Sequence, residues 1–193
     1  RKQGAAIDAK DAGAPAVAII NHADVRRELL TAKSQIEGSR MLAYWVSMQL
    51  DISHRHADEG ARKKAKQLVD LLTPVIKAHF TDNAVDHTNA AMQVFGGHGY
   101  IKEHGVEQYN RDARITRLYE GTNGVQALDL IGRKILKENL LPPYLKQLCG
   151  DMFAAARAGV SLCMIFRLKR AAFKLWRARL RLISVVDEFI MAQ

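Results

Sequence analysis

The chain has 193 residues, 48% of them hydrophobic and 25% charged, a balance that excludes a disordered tail and a collagen-like fibre. Only 7% of residues are aromatic and four are proline, which favours a mostly helical protein. The net charge of +9 raises nucleic acid or an anionic membrane as partners. However, residues 141–193 hold nine Lys and Arg against three Asp and Glu, so the basicity belongs mainly to the end of the chain. Nucleic-acid binding would rest on that charge alone and is not the expected function. Cys149 and Cys163 are too few for a disulfide framework and lack metal-ligand spacing, so a reducing, cytoplasmic setting is expected and no metal site. No apolar run reaches the ~18 residues of a membrane span. The opening RKQGAA lacks the features of a signal peptide and reads as the middle of a longer polypeptide.

Residues 1–20, with Gly4, Gly13 and Pro15 among alanines, read as an irregular lead-in. Val25, Leu29, Ala32, Ile36 and Ala43 then recur at three, four or seven residues, which predicts an amphipathic helix over about 22–52. Tyr44 and Trp45 are expected in its core face. A polar break, His54 to Gly60, precedes Ala61, Ala65, Leu68, Leu72, Val75, Ile76 and Phe80, a second helix that Pro74 should kink or restart. Small residues carry the helical pattern on to Phe95.

Gly96-Gly97-His98-Gly99-Tyr100 marks a tight loop. A short polar helix is expected over about 104–114, then a second glycine-punctuated turn, Tyr119-Glu120-Gly121-Thr122-Asn123-Gly124. Val125, Leu128, Ile131 and Ile135 should form the apolar stripe of a last core helix over about 124–138, which Pro142-Pro143 ends. Two further helices are candidates over 144–192, the last crowded with Arg167, Lys169, Arg170, Lys174, Arg177, Arg179 and Arg181. The fold class is therefore all-α: an up-and-down four-helix bundle over 21–140 with a basic helical extension over 141–193.

Read as physics, Glu120 allows two roles. A carboxylate just before a helix start is favoured by the free backbone N–H groups and the macrodipole. The same carboxylate could be a general base presented on a loop by a helical scaffold. Gln93-Val94-Phe95-Gly96-Gly97 is by itself a common helix C-cap. His54, His56 and His98 fit solvated loops, and Arg111 with Asp112 fits a structural ion pair.

Taken together, Gln-x-Phe-Gly-Gly-x-Gly (93–99), Arg-Asp-Ala-Arg (111–114) and Tyr-Glu-Gly-Thr (119–122) closely resemble the C-terminal helical domain of the acyl-CoA dehydrogenases in order and spacing. The helix HADVRRELLTAKSQIEGSRMLAYW is similar to the large bacterial members that carry a C-terminal extension. The resemblance implies FAD as cofactor, an acyl-CoA substrate, an electron-transfer flavoprotein or similar acceptor, and a homo-oligomer. It implies that Glu120 is the base that removes a proton next to the thioester carbonyl. It further implies flavin contacts from Gln93, Gly96, Gly97 and Thr122, and from Arg1 and Gln3 as the tail of an Arg-x-Gln motif. Gly124 stands where many members carry glutamine. The alternative is a non-catalytic helical oligomerisation module or split subunit, without the N-terminal and middle domains that the family's active site needs.

Overall fold

A computed structural model describes residues 1–161 apart from 12, together with 167, 169–174, 177 and 178. Among these the chain is all-α, with no strand and a single antiparallel bridge, Lys2 to Ala18. That bridge gives the lead-in an order its composition does not announce. Gln3 N donates to the Val17 carbonyl and Val17 N to the Gly4 carbonyl, both at 2.9 Å, while Ile19 N donates to the Arg1 carbonyl at 3.1 Å. The loop thus closes on itself before a 3-10 turn, Ile19–Asn21.

Helix α1 runs Ala23–Arg55 and α2 runs Glu59–Phe95, so the polar break is only three residues long. Asp58 shortens it by capping α2. Its carboxylate accepts from Ala61 N at 2.8 Å and from Gly60 N at 3.2 Å, satisfying donors that the first helical turn leaves unpaired. These bonds hold the Asp58 carboxyl below its ordinary 3.8, with the charge of Lys64 helping. A group depressed in the folded state stabilises above its unfolded value, and the contribution disappears as pH falls below about 3.8 through the folded value. Asp58→Ala should therefore unfold at lower temperature at neutral pH, with the gap to the native chain closing in acid. Thermal melts at a series of pH values check this.

Helix α2 passes through Pro74 without restarting. The ring is buried, and Thr73 Oγ1 donates to the Val69 carbonyl at 2.7 Å next to the place where proline lacks an N–H.

The chain divides into two compact units, Arg1–Met48 with Ile76–Asn123, and Gln49–Val75 with Gly124–Gln193. In the first, α1 and α2 are antiparallel. His87 Nε2 donates to Gln35 Oε1 at 2.5 Å, and Ile36 to Ala43 face His87 to Phe80 across a shallow groove. Tyr44, expected in the core, is 68% exposed, and Trp45 is half-buried. A single helical turn, α3 (Gly97–Tyr100), stands where a tight loop was expected, and α4 (Val106–Ile115) follows a 3-10 turn over Lys102–His104.

In the second unit, Ala65, Leu68, Leu71 and Leu72 of α2 are buried, each such leucine contributing about 1.5–3 kcal/mol. The last core helix departs from expectation. After α5 (Asn123–Leu128) the backbone widens into π turns over Asp129–Lys137. Glu138 N reaches back five residues to the Arg133 carbonyl, and Leu140 N six residues to that of Lys134. Apolar residues spaced for 3.6 per turn do not share one face of this wider helix. Within it Ile131 is 39% exposed, whereas Lys134 is buried and paired with Glu138 at 3.5 Å; Leu128 and Val125 of α5 are exposed as well. Pro142-Pro143 does not end a unit but opens the next helix, α6 (Leu141–Arg157), in whose first turn proline loses nothing. Leu141 and Leu145 of α6 bury against Ala172. Burial among these side chains pushes the Tyr144 phenol above its usual value, aided by the charge of Asp151. Lys169 lies over the Phe153 ring and Arg177 over that of Phe173, at 4.9 and 5.8 Å. Arg179, Arg181, Cys163 and most of the last helix candidate lie outside the described residues; Cys149 is exposed and unpaired. No described helix is long and apolar enough to cross a membrane.

Candidate functional site

The first glycine turn and the second as far as Asn123 lie in the first unit. At the end of α2, Gly96 takes a left-handed φ of +64°, and its amide donates to the Gln93 carbonyl at 3.0 Å. A Cβ there would sit 2.9 Å from Nη2 of Arg1, so glycine is what lets the Arg1 guanidinium lie against the turn. Arg1 Nη2 also reaches the Val94 carbonyl at 3.5 Å. The closed lead-in holds Gln3 beside it, with His22 Nε2 donating to the Gln3 carbonyl at 2.6 Å. Arg1, Gln3, Gln93 and Gly96, far apart in sequence, thus share one open groove of about 480 Å³ with His22, Asp24 and Glu28. Gly97 is not on that groove; it starts α3 with nothing within 4 Å of where a Cβ would be.

Gly96→Ala would have to force alanine to φ +64° and ψ −147°, a region that is almost glycine-only and costs about 1–3 kcal/mol, and displace Arg1. A lower melting temperature and a groove less able to retain an anion are expected, read by calorimetry and by pyrophosphate binding.

The second turn carries Glu120 and Thr122, both exposed. Glu120 has φ +55° and Gly121 φ +84°. Among the described residues Asn139 is the other non-glycine with positive φ, and asparagine tolerates that region better than glutamate does. A glutamate there is held at a cost of roughly 1–3 kcal/mol, a kind of strain that clusters at functional sites. What holds it comes from α2. Lys77 Nζ, half-buried, donates to the Gly121 carbonyl at 2.7 Å and to Asn123 Oδ1 at 2.9 Å. Asn123 Nδ2 donates to Asp82 Oδ1 at 2.9 Å and to Thr81 Oγ1 at 3.1 Å. The same Asp82 oxygen takes Arg117 Nε at 2.7 Å.

The sequence reading missed Lys77, Thr81, Asp82, Arg117 and Asn123 as a group. Val75 to Ala84 carries five polar residues, Lys77, His79, Thr81, Asp82 and Asn83, and nothing in their spacing singles out the three that meet Asn123. The ion pair expected within Arg111-Asp112 is not formed; Asp112 accepts from the Gln108 amide at 2.7 Å, and the pair that ties this region down is Arg117 with Asp82. His54 and His56 are exposed, and His56 Nδ1 accepts from Asp58 N. His98 is exposed and stacks edge-on with His104. No cluster among the described residues could hold a metal ion.

These two turns, on an all-α frame, are features of one family. The family model described as acyl-CoA dehydrogenase, C-terminal domain, matches residues 5–136, and the chain belongs to that family. It is 45% identical over 123 residues to a 3-methylmercaptopropionyl-CoA dehydrogenase of Ruegeria pomeroyi, covering 64% of this chain and 21% of that protein. It is 38% identical over 140 residues to a broad-specificity linear acyl-CoA dehydrogenase of Mycobacterium tuberculosis, covering 72% and 23%. A butyryl-CoA dehydrogenase of Syntrophomonas wolfei is 40% identical over 124 residues, covering 64% and 20%. The chain spans about a fifth of the length of these relatives.

Proposed function

We propose that this chain is the C-terminal part of an FAD-dependent dehydrogenase that oxidises an acyl-CoA thioester to the 2,3-enoyl-CoA, with Glu120 as the base. The observation that carries this reading is the strained, exposed Glu120, held left-handed by tethers to α2. A carboxylate fixed on a rigid bend is suited to removing the proton from the carbon next to the thioester carbonyl, which that carbonyl acidifies. When bound, FAD supplies the acceptor for the hydride that leaves the neighbouring carbon.

The residues present fit the cofactor's chemistry. The Arg1 guanidinium, cradled where a Gly96 Cβ would intrude, offers planar donors to a phosphate. The Gln93 side chain offers an amide, and Asp24 and Glu28 on the same groove can accept from ribose hydroxyls. Gly97 and Thr122 complete the set of flavin contacts that family membership suggests. The electron acceptor in this reading is an electron-transfer flavoprotein or a protein like it, in the cytoplasm. Exposed apolar side chains along α1, among them Leu30, Met41 and Met48, support assembly of the helices into a homo-oligomer.

The test is to mix the full dehydrogenase that contains this chain, loaded with FAD in the absence of oxygen, with a series of acyl-CoA thioesters. Loss of the flavin's visible absorbance with formation of enoyl-CoA is the expected result. A protein that assembles but neither retains FAD nor consumes any acyl-CoA would instead be the helical oligomerisation module.

A further inference from the structure

The two flanks of the Glu120 turn are fastened to the same stretch of α2. Upstream, Arg117 is paired with Asp82 at 2.7 Å. Downstream, Asn123 donates to the same Asp82 oxygen at 2.9 Å, and Lys77 joins the Gly121 carbonyl to the Asn123 amide oxygen at 2.7 and 2.9 Å. The carbonyl that Lys77 holds belongs to Gly121, immediately after Glu120 and itself left-handed. Gly121, without a Cβ, takes positive φ freely, but the left-handed Glu120 before it needs such a restraint, because the relaxed backbone of an L-residue lies at negative φ. The lysine has the reach to restrain it and three donors, two of which are used here.

We propose that Lys77 is a positioning residue for the base: by holding the Gly121 carbonyl and the Asn123 side chain on α2, it fixes the left-handed bend at Glu120 and so the direction of its carboxylate. This rests on the reading of Glu120 as the base. Lys77 itself touches no reacting atom. Its removal frees the bend to relax, which lowers the fraction of molecules whose carboxylate meets the substrate proton; small misplacements of this kind cost about 10²-fold in rate. Binding of the acyl-CoA, made by other groups, is untouched.

The experiment uses Lys77→Met, Lys77→Arg and Glu120→Gln in the FAD-loaded dehydrogenase that contains this chain, alone and combined. Lys77→Met should lower kcat by about 10–10²-fold with KM within about twofold, and Lys77→Arg, which keeps donors at that point, should recover part of the loss. Amide hydrogen exchange over residues 119–123 should rise in Lys77→Met while α1 keeps its protection, a readout independent of turnover. Once Glu120 is glutamine, adding Lys77→Met should slow the residual rate no further, since a residue that acts through the base has nothing left to act on. Should Lys77→Met fail to fold, Asp82→Asn, which weakens the same tether from the other side, takes its place with the same expectations.

Wild-type kcat in Lys77→Met or its substitute, beside a slow Glu120→Gln, would overturn the positioning role and leave the base in place. A loss in Lys77→Met that multiplies with that of Glu120→Gln would also overturn it, as an effect on structure at large. A Glu120→Gln enzyme as fast as the native one would overturn the base itself, and Lys77 with it.

Discussion

Glu120→Gln is expected to lower turnover by roughly 10²–10⁴-fold, the usual contribution of a general base, while leaving the flavin content and the melting temperature where they were. The separation of effects follows from how the turn is held. Its restraints engage the Gly121 carbonyl and the side chains of Asn123 and Arg117, so a glutamine of nearly the same shape inherits the same bend. It lacks only the basic oxygen. The loss should lie in kcat, because acyl-CoA binding does not depend on proton abstraction. Steady-state kinetics with bound FAD quantified in parallel is the check, and an unchanged kcat would place the base elsewhere.

Gly99→Ala should destabilise the fold by about 1–3 kcal/mol, the common cost of forcing atoms into a filled space. Gly99 is buried. A Cβ at that position would lie 2.7 Å from the Met92 carbonyl oxygen, 2.8 Å from Phe95 Cβ and 2.9 Å from Met92 Cα. Two of these three atoms belong to the backbone of α2, and no rotamer change moves them aside. The turn of α3 can fold back on α2 only without a side chain there. Each kcal/mol lost lowers the melting temperature of a chain this size by about 2–4 °C. Gly97→Ala, with open space at its Cβ position, is the matched control and should melt close to the native chain.

The long helices were legible because their apolar residues recur at helical spacing: Val25 to Ala43 lie in α1, and Ala61 to Phe80, carried on by small residues to Phe95, lie in α2. Spacing was less informative where a local device intervened. Asp58 starts α2 earlier than the polar run suggests, and a buried Pro74 sits within one helix because its neighbours supply the packing. The stripe Val125, Leu128, Ile131 and Ile135 was read at 3.6 residues per turn, and the π turns after Leu128 take it off a common face. Nothing in those side chains announces a wider helix.

At the site, the motifs named Arg1, Gln3, Gln93 and Gly96 one by one. That the first three residues meet the end of α2 depends on backbone pairing of 1–4 with 17–19, which no side-chain pattern encodes. The group around Lys77 was illegible for a similar reason. Its α2 members, Lys77, Thr81 and Asp82, lie 46, 42 and 41 residues before Asn123 in sequence, and only the folded chain brings them together.

The most direct test of proton abstraction by Glu120 is hydrogen exchange at the substrate carbon itself. The FAD-loaded dehydrogenase is incubated in D₂O with an acyl-CoA whose neighbouring carbon cannot give up a hydride, and deuterium at the carbon beside the thioester carbonyl is followed by mass spectrometry. Rapid incorporation by the native protein that falls to the uncatalysed rate in Glu120→Gln is the predicted result. Equal incorporation by the two proteins would contradict it.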